Sequence, residues 1–450
     1  MKLPRAYSRF CVVTFAMLAF LLTLAATAGA AETVLYTFTG TNDGAVPQGL
    51  VADAQGDLYG ANALGGSFAG HCQFSGCGNV FKLSPNLGGG WSETVLYNFT
   101  GGSDGAIPES VLIFDSAGNL YGTTAAGGYL GNSNCGLVVA GCGVVYKLAP
   151  NGDGTYSESV LHTFHGTQDG YLPQTGVVFD ASGNLYGTAN LGSGHFVGNV
   201  FQLSPNGTGG WNFKNIHSFT NGTDGGRPLG FAIDASGNLF GTTTQGGNTS
   251  CGGGAGCGSV VELSPNGSGG WVSRIAHLFS GRLDGAVPAG ISADASGNLF
   301  GVALYGGHNA DCLRLATFPG CGVVFELSPV SGGGWKDQTI YAFTGGNDGA
   351  FPGGAPAIDS SGNVYGTSNG TVSGCPTKCG AVYKVSPVSL GWSETTLYTF
   401  TGSTDGSEPT YNGVLLDAAG NVFGATATGG DLGCTLDGPP GCGVAYEITQ

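Results

Sequence analysis

The sequence predicts an all-β fold, a seven-bladed β-propeller of four-stranded blades whose N-terminal strand closes the last blade. Three observations predict it. The chain is rich in glycine and poor in charge, with 88 Gly and 9% charged residues among 450. A motif recurs seven times, and the two ends of the chain carry complementary parts of that motif.

The composition excludes disorder and favours short strands joined by tight turns. Hydrophobic residues make up 41% and aromatic residues 10% of the chain, which is more apolar surface than disordered chains carry. Glycine spread among Val, Leu and aromatic residues is typical of many turns between short strands. Propellers of this length form one domain, so residues 31–450 are assigned to a single propeller.

Two short signals define the repeat. The first is Asp-Gly-x-x-Pro, and its copies recur about every 60 residues. They start at Asp43, Asp104, Asp169, Asp224, Asp284, Asp348 and Asp405. The second has Asp, then Gly-Asn or Gly-Asp, then Leu or Val, an aromatic residue and Gly. It starts at Asp53, Asp115, Asp180, Asp234, Asp294, Asp359 and Asp417.

Each repeat is expected to form four strands, which in the first copy are residues 49–53, 58–62, 79–84 and 94–99. The Gly-Asn or Gly-Asp pair between the first two strands predicts a tight hairpin, because these residues tolerate positive φ. The Asp that opens this turn is expected to accept backbone N–H groups and hold the hairpin. No stretch shows a sustained helical period.

The chain ends predict how the ring closes. Residues 33–38 are a lone fourth-strand sequence, and the chain stops after a third-strand sequence at residues 443–448. Pairing them would complete the last blade and remove two open sheet edges. A linear solenoid is the alternative, but it needs altered capping repeats, and neither end resembles one.

The repeat resembles the GloVer-type tandem repeat of secreted bacterial proteins. The matching residues are Gly49-Leu50-Val51-Ala52-Asp53 and Gly118-Asn119-Leu120-Tyr121-Gly122-Thr123-Thr124, each followed by a Gly-Gly pair. The resemblance covers nearly the whole mature chain and implies no particular activity. A weaker similarity to NHL-type propeller repeats supports the fold alone, because fold does not fix function.

The first 30 residues are predicted to be a signal peptide. Lys2, Arg5 and Arg9 precede an apolar run over residues 11–27, and Ala28-Gly29-Ala30 is typical of a cleavage site. We therefore expect a secreted or periplasmic protein with no membrane span after processing. A membrane anchor is the less favoured reading, because the run is short for a span.

Twelve cysteines of the mature chain fall into six close pairs, which predicts local disulfides in an exported protein. The pairs are Cys72/Cys77, Cys135/Cys142, Cys251/Cys257, Cys312/Cys321, Cys375/Cys379 and Cys434/Cys442. Their variable spacing and the absence of a recurring neighbouring His argue against a zinc site.

Charge limits the partners. The formal net charge of −16 disfavours nucleic acid and anionic membranes. It is compatible with a neutral or cationic ligand, such as an extracellular polysaccharide or a surface protein, bound by a monomer. We expect no cofactor, although seven rim carboxylates leave Ca²⁺ open as an alternative.

The candidate binding face carries the Asp-Gly links and the cysteine loops, because variable stapled loops on one face are where repeat folds usually bind. Its ligand-binding candidates are the seven link residues Asp43, Asp104, Asp169, Asp224, Asp284, Asp348 and Asp405, together with His165 and His195. The two histidines belong to the third repeat, which alone lacks a cysteine pair and has the shortest loop. A broken local pattern can mark function.

Three functions stay open. The first is a non-enzymatic binding protein, favoured because no singular polar cluster stands out from the repeats. The second is a propeller hydrolase or lyase acting on a carbohydrate or lactone, with His165, His195 and Arg227 as catalytic residues. The third is a structural surface component. The sequence has no G-x-S-x-G, H-E-x-x-H or P-loop motif, so an enzyme is the less favoured class.

Overall fold

The computed structural model describes residues 30–73, 75–131, 135, 140–166, 168–307, 312, 318–370, 379–436 and 440–450. Its strands form seven antiparallel sheets, and the predicted seven-bladed β-propeller is confirmed. Of the predicted signal peptide only Ala30 lies among the described residues, and Cys375 lies outside them.

The first three blades are built from strands β2 to β14. Blade 1 contains β2 (Ala45–Pro47), β3 (Val51–Ala52), β4 (Leu58–Gly66), β5 (Gly76–Pro85) and β6 (Trp91–Asn98). Blade 2 contains β7 (Ile113–Phe114), β8 (Leu120–Thr124), β9 (Val144–Pro150) and β10 (Tyr156–Thr163). Blade 3 contains β11 (Val178–Phe179), β12 (Leu185–Ala189), β13 (Asn199–Pro205) and β14 (Trp211–Ser218).

The next three blades have longer inner strands. Blade 4 contains β15 (Gly226–Ile233), β16 (Leu239–Gly247), β17 (Gly256–Pro265) and β18 (Trp271–Leu278). Blade 5 contains β19 (Ala286–Ala293), β20 (Leu299–Tyr305), β21 (Val323–Pro329) and β22 (Trp335–Ala342). Blade 6 contains β23 (Pro352–Ile358), β24 (Val364–Ser368), β25 (Ala381–Val388) and β26 (Gly391–Thr399).

Blade 7 is completed by the N-terminal strand, as the chain ends predicted. It contains β27 (Ser407–Pro409), β28 (Leu415–Leu416), β29 (Val422–Thr428), β30 (Val444–Thr449) and β1 (Ala31–Thr37). The first and last strands pair antiparallel, with Ala31 opposite Thr449. The ring is therefore closed by hydrogen bonds between the two ends of the chain.

The hairpin aspartates are structural, as predicted. The Asp53 Oδ1 atom accepts backbone N–H groups of Gln55 at 2.9 Å and Asp57 at 3.0 Å. The Tyr59 hydroxyl donates to the other carboxylate oxygen at 3.0 Å. This Asx-type turn fixes the register between the first two strands of the blade.

The hydrophobic core lies between adjacent blades. One cluster joins Tyr59, Val80 and Phe99 of blade 1 to Leu120 and Tyr146 of blade 2, all nearly inaccessible to solvent. The Phe99 and Tyr146 rings meet edge to face, with 5.0 Å between centroids. Because each blade buries its aromatic residues against the next, no blade has a complete core alone.

The strand bounds differ from the sequence prediction in the inner strand and in the second and third strands of the blade. In blade 1 the predicted inner strand 49–53 pairs only over β3, while β4 and β5 extend until Gly65 pairs with Gly76. Helical structure among the described residues is two single 3-10 turns, Gly70–Cys72 and Gly252–Gly254. None of the described helices is long and apolar enough to cross a membrane.

Candidate functional site in the axial cavity

A cavity of about 820 Å³ lies on the ring axis. Its walls come from the inner strands of all seven blades and the segments leading into them, such as Gln48, Glu109 and Leu229. Leu304, Asn369 and Ala427 also line it, and they lie at or near the ends of second strands. These ends adjoin the Asp-Gly links and cysteine loops, so the cavity lies toward the face predicted from the sequence.

The Asp-Gly links position the inner strands. Asp43 accepts the Thr39 backbone N–H at 2.8 Å and the Thr39 hydroxyl at 2.7 Å, and the Tyr36 hydroxyl donates to it at 3.3 Å. Six links repeat this Thr or Ser cap, the exception being the link that holds His165. The seven predicted ligand-binding aspartates are thus engaged within their own links, and their ligand-binding role stays a prediction.

The residue before each link proline has a left-handed backbone. The seven residues are Val46, Ile107, Leu172, Arg227, Val287, Phe351 and Glu408, with φ between 52° and 61°. Such a conformation costs about 1–2 kcal/mol for a non-glycine residue, and the surrounding structure must enforce it. The Val46 N–H donates to the Cys442 carbonyl at 3.0 Å, and the Ile107 N–H donates to the Cys77 carbonyl at 2.9 Å.

These bonds tie each inner strand to the cysteine loop of the preceding blade. Blade 3 lacks a cysteine pair, and there the Arg227 N–H donates to the Val197 carbonyl at 2.7 Å instead. The left-handed turn therefore sets how the residue after each proline enters the axial cavity.

Four hydrogen-bonding side chains form a polar arc on one side of the cavity. The Gln174 amide donates to the Glu109 carboxyl at 2.8 Å. The Asn412 amide donates to the Gln48 side-chain oxygen and, at 3.1 Å, to the Glu109 backbone carbonyl. The arc thus spans blades 7, 1, 2 and 3 and contains one carboxyl group.

Two further polar atoms at the cavity have no partner among the described residues. They are the Asn369 side-chain oxygen and the Thr410 hydroxyl, and both side chains are buried. A buried polar atom without a partner costs about 1–3 kcal/mol, so these atoms suit a ligand that supplies the missing hydrogen bonds.

The opposite side of the cavity is apolar. It is lined by Leu229, Phe231 and Ala289 from blades 4 and 5. The inner strands of blades 5 and 6 approach closely at glycine, since a Cβ added to Gly290 would lie 2.1 Å from the Gly354 carbonyl oxygen. A polar arc facing an apolar arc is typical of small-molecule sites.

The carboxyl group of the arc is set apart by its surroundings. Burial raises the pKa of Glu109, and the hydrogen bond from Gln174 opposes this rise without cancelling it. None of the described lining residues is Lys, Arg or His. The cavity therefore favours an uncharged or cationic ligand over an anion.

The expectation that no singular polar cluster stands out from the repeats was wrong, because the four side chains of the polar arc form one. The signal lies directly after the link proline, where blades 1, 2 and 3 carry Gln48, Glu109 and Gln174 and blade 4 carries Leu229. The seventh repeat also has the longest spacing between its link proline and turn aspartate, and Asn412 lies in that extra length.

The proposed catalytic residues His165, His195 and Arg227 are all exposed in the structure. The His165 Nδ1 atom lies 3.3 Å from the Asp169 carboxylate, and its side chain is 57% exposed. His195 and Arg227 are exposed, and neither makes a side-chain hydrogen bond within the described residues. None of the three lines the axial cavity, and their catalytic role stays a prediction.

Five predicted disulfides are present among the described residues, joining Cys72–Cys77, Cys135–Cys142, Cys251–Cys257, Cys312–Cys321 and Cys434–Cys442. Cys379 is also disulfide-bonded, and its predicted partner Cys375 lies outside the described residues. These disulfides indicate a non-cytoplasmic protein. Within the described residues, no group of three or more His, Cys, Asp or Glu side chains could hold a metal ion.

The sheets and the cavity define a seven-bladed propeller with an axial cavity. Residues 134–313 match the Gloeobacter/Verrucomicrobia repeat, so this part of the chain carries that repeat and the resemblance identified from the sequence is confirmed. No curated protein matches the sequence.

Several solved structures are similar in fold. A streptogramin B lyase is 12% identical, covers 94% of this chain and 98% of its own, and gives a TM-score of 0.50. A proposed 6-phosphogluconolactonase from Bacteroides uniformis is 13% identical, covers 82% of this chain and 89% of its own, and gives a TM-score of 0.50. A gluconolactonase from Xanthomonas campestris is 13% identical, covers 75% of this chain and 86% of its own, and gives a TM-score of 0.41. At these identities the first two support the propeller fold alone.

Proposed function

We propose that this protein is a secreted or periplasmic binding protein that holds a small, neutral, hydroxyl-rich compound in the axial cavity. The ligand class is a free sugar or the end unit of an extracellular polysaccharide. The polar arc of Gln48, Asn412, Glu109 and Gln174 carries the proposal. Amide groups both donate and accept, which is what neighbouring sugar hydroxyl groups require.

The electrostatics support an uncharged ligand. The chain carries a formal charge of −16, and the described cavity lining holds no cationic side chain. The unpartnered Asn369 oxygen and Thr410 hydroxyl add an acceptor and a donor near the arc. The apolar arc, which includes Leu229 and Phe231, would contact the C–H face of a sugar ring.

The test is a binding screen of the mature protein against free sugars, sugar lactones and a glycan array. Gln174→Leu combined with Gln48→Leu removes two members of the arc and should weaken binding about tenfold or more. Gln55→Leu, in an exposed hairpin, is the matched control and should bind as the wild type does. Equal affinity for the double variant and the control would overturn the proposal.

A hydrolase or lyase acting on a carbohydrate or lactone is the second candidate. The raised pKa of Glu109 favours it, because burial makes this carboxyl hold its proton more firmly than a free glutamate does, and a protonated carboxyl can donate to a leaving oxygen. Glu109→Gln separates the two functions, since an amide can still accept the bond from Gln174 but cannot donate an acidic proton. Binding retained by Glu109→Gln, with turnover lost about 100-fold or more, would establish the enzyme.

A further inference from the structure

The seven contacts between neighbouring blades follow one pattern, and one contact departs from it. In six of them the residue that caps the link aspartate is Thr or Ser. Between blades 2 and 3 that residue is His165, whose backbone N–H and Nδ1 atom both face Asp169. A histidine therefore stands where the fold elsewhere uses only a small hydroxyl.

The fourth strand of blade 3 departs from the pattern of the other blades at the same contact. The fourth strands of the other six blades carry Glu, Asp or Ser at the position that faces this region. These residues are Glu32, Glu93, Glu158, Ser273, Asp337 and Glu394. Blade 3 has Phe213 there, and the His162 ring stacks on it with 4.2 Å between centroids and a 15° angle between planes. An aromatic pair thus replaces a polar side chain.

Asn215 is the third departure. The equivalent residues are apolar or Thr, as in Val95, Val160 and Ile275. The Asn215 amide donates to the Ser218 hydroxyl at 3.0 Å. Its side-chain oxygen is buried and has no partner among the described residues. The amide also donates to the Ser193 hydroxyl at 3.3 Å, and the six other blades fold without an amide at this position.

The three substitutions line one cavity, which we call the junction cavity. It has a volume of about 410 Å³ and is lined by His162, His165, Gln168, Asp169, Phe213 and Asn215. The Tyr129 ring lies against His165 with 4.8 Å between centroids and is 41% exposed. Three residues that depart from the sevenfold repeat line the same cavity. Departures that coincide in this way indicate a functional site.

The charge state of the junction cavity limits its ligand. Burial alone would raise the pKa of Asp169, but hydrogen bonds from His162 and His165 outweigh burial and hold that pKa below its usual range. The carboxylate is therefore ionised at neutral pH and repels anions. The described residues offer no metal-binding group, so a bound metal ion is not favoured.

We infer that the junction cavity binds one pyranose unit of a neutral saccharide, a second site separate from the axial cavity. The Tyr129 ring, which is 41% exposed beside His165, offers an apolar face against which a sugar ring packs, and the stacked His162 and Phe213 rings line the cavity. The Asp169 carboxylate and the Asn215 and Gln168 amides offer partners for its hydroxyl groups. This site rests on different residues from the axial proposal and stands without it.

The experiment restores the pattern of the other blades. His165→Thr combined with Phe213→Glu installs residues that function at equivalent positions in blades 1 and 2, so the variant should fold. Affinity is measured by titration calorimetry with soluble gluco-, manno-, galacto- and xylo-oligosaccharides. The double variant should lose about tenfold or more in affinity for whichever oligosaccharide binds.

Matched controls keep the result interpretable. His277→Tyr restores the commoner residue at another blade contact and should leave affinity unchanged. Asn215→Val is a milder second variant, which tests the same cavity even where the double variant does not fold. It should also weaken binding. Gln174→Leu changes the axial cavity alone. An oligosaccharide that binds in the junction cavity should keep its affinity for this variant, whereas a ligand of the axial cavity should lose affinity. No binding to any oligosaccharide, or unchanged affinity in both junction variants, overturns the inference.

Discussion

The backbone N–H of Val46 donates to the Cys442 carbonyl at 3.0 Å, and this bond joins the first blade to the last. Beside it, the Pro47 ring packs on Gly443 so closely that a Cβ on Gly443 would lie 2.7 Å from the proline Cδ atom. The same Gly–Pro contact occurs at every blade boundary, for example Gly78 with Pro108. The ring is therefore closed by the contact that its blades use throughout.

Gly443→Ala should destabilise this closure strongly. The new Cβ would lie 2.1 Å from the Thr426 carbonyl oxygen, and the residue has φ +90°. Gly420→Ala is the matched control, because Gly420 has φ +88° but nothing within 4 Å of an added Cβ. The control should cost about 1 kcal/mol through backbone strain alone and Gly443→Ala at least about 2 kcal/mol more. Denaturant unfolding measures both, and equal losses would contradict the packing argument.

Removing a disulfide should weaken both stability and the tie to the next blade. Cys72→Ala with Cys77→Ala opens a short loop, for which the chain-entropy account predicts a loss of about 2 kcal/mol. The Cys77 carbonyl also accepts the Ile107 N–H, so the segment that leads to Glu109 should become less protected from hydrogen exchange. Hydrogen exchange at Ile107, compared with Arg227 beside the blade that lacks a cysteine pair, measures this. Unchanged exchange at Ile107 would show that the disulfide does not stabilise the segment that leads to the axial cavity.

Much of the fold could be predicted from the sequence because the repeat is strict. The turn motif gives seven blades, and a lone fourth strand near Thr33 with a missing one at the C-terminus gives the closure. The local rules used for strands and hairpins act within a few residues, and the Asp53 turn obeys them. The bounds of the second and third strands were less accurate, because glycine pairs such as Gly65 and Gly76 extend the sheet.

The axial cluster could not be predicted by the same rules. Val46 and Ile107 adopt positive φ before proline, against the local preference of β-branched residues, because the preceding blade holds their N–H groups. Only this tertiary constraint shows that the residue after the proline faces the axis. Once that geometry is known, aligning Gln48, Glu109 and Gln174 with Leu229 shows that blades 1 to 3 carry a polar residue where blade 4 carries an apolar one.

Arg227→Gly should stabilise the protein. Arg227 has φ 54°, its side chain is exposed, and it makes no side-chain hydrogen bond with the described residues. Glycine removes a strain of about 1–2 kcal/mol, partly offset by the greater freedom of the unfolded chain. We expect a net gain of about 0.5–1 kcal/mol in thermal or denaturant unfolding. A loss of stability would mean that the arginine side chain stabilises the link.

Stability should decline as the pH rises from about 4.5 to 7. Burial raises the pKa of Glu32, Glu93 and Glu158 from 4.5 to about 7, and a nearby link aspartate adds to the effect in each case. Between these values the folded protein holds protons that the unfolded chain releases, so this contribution is complete below pH 4.5 and is lost through pH 7. The melting temperature should therefore be higher at pH 5 than at pH 8.

The variant Glu32→Gln/Glu93→Gln/Glu158→Gln tests whether these three groups cause that slope. It should flatten the decline between pH 5 and pH 8, because the amide stays uncharged throughout. Glu408 is left intact, since it lies at the axial cavity and its replacement would confound the comparison. A slope as steep in the triple variant as in the wild type would assign the pH dependence to other groups. Glu394 and Glu447, whose pKa burial also raises, would be the next to replace.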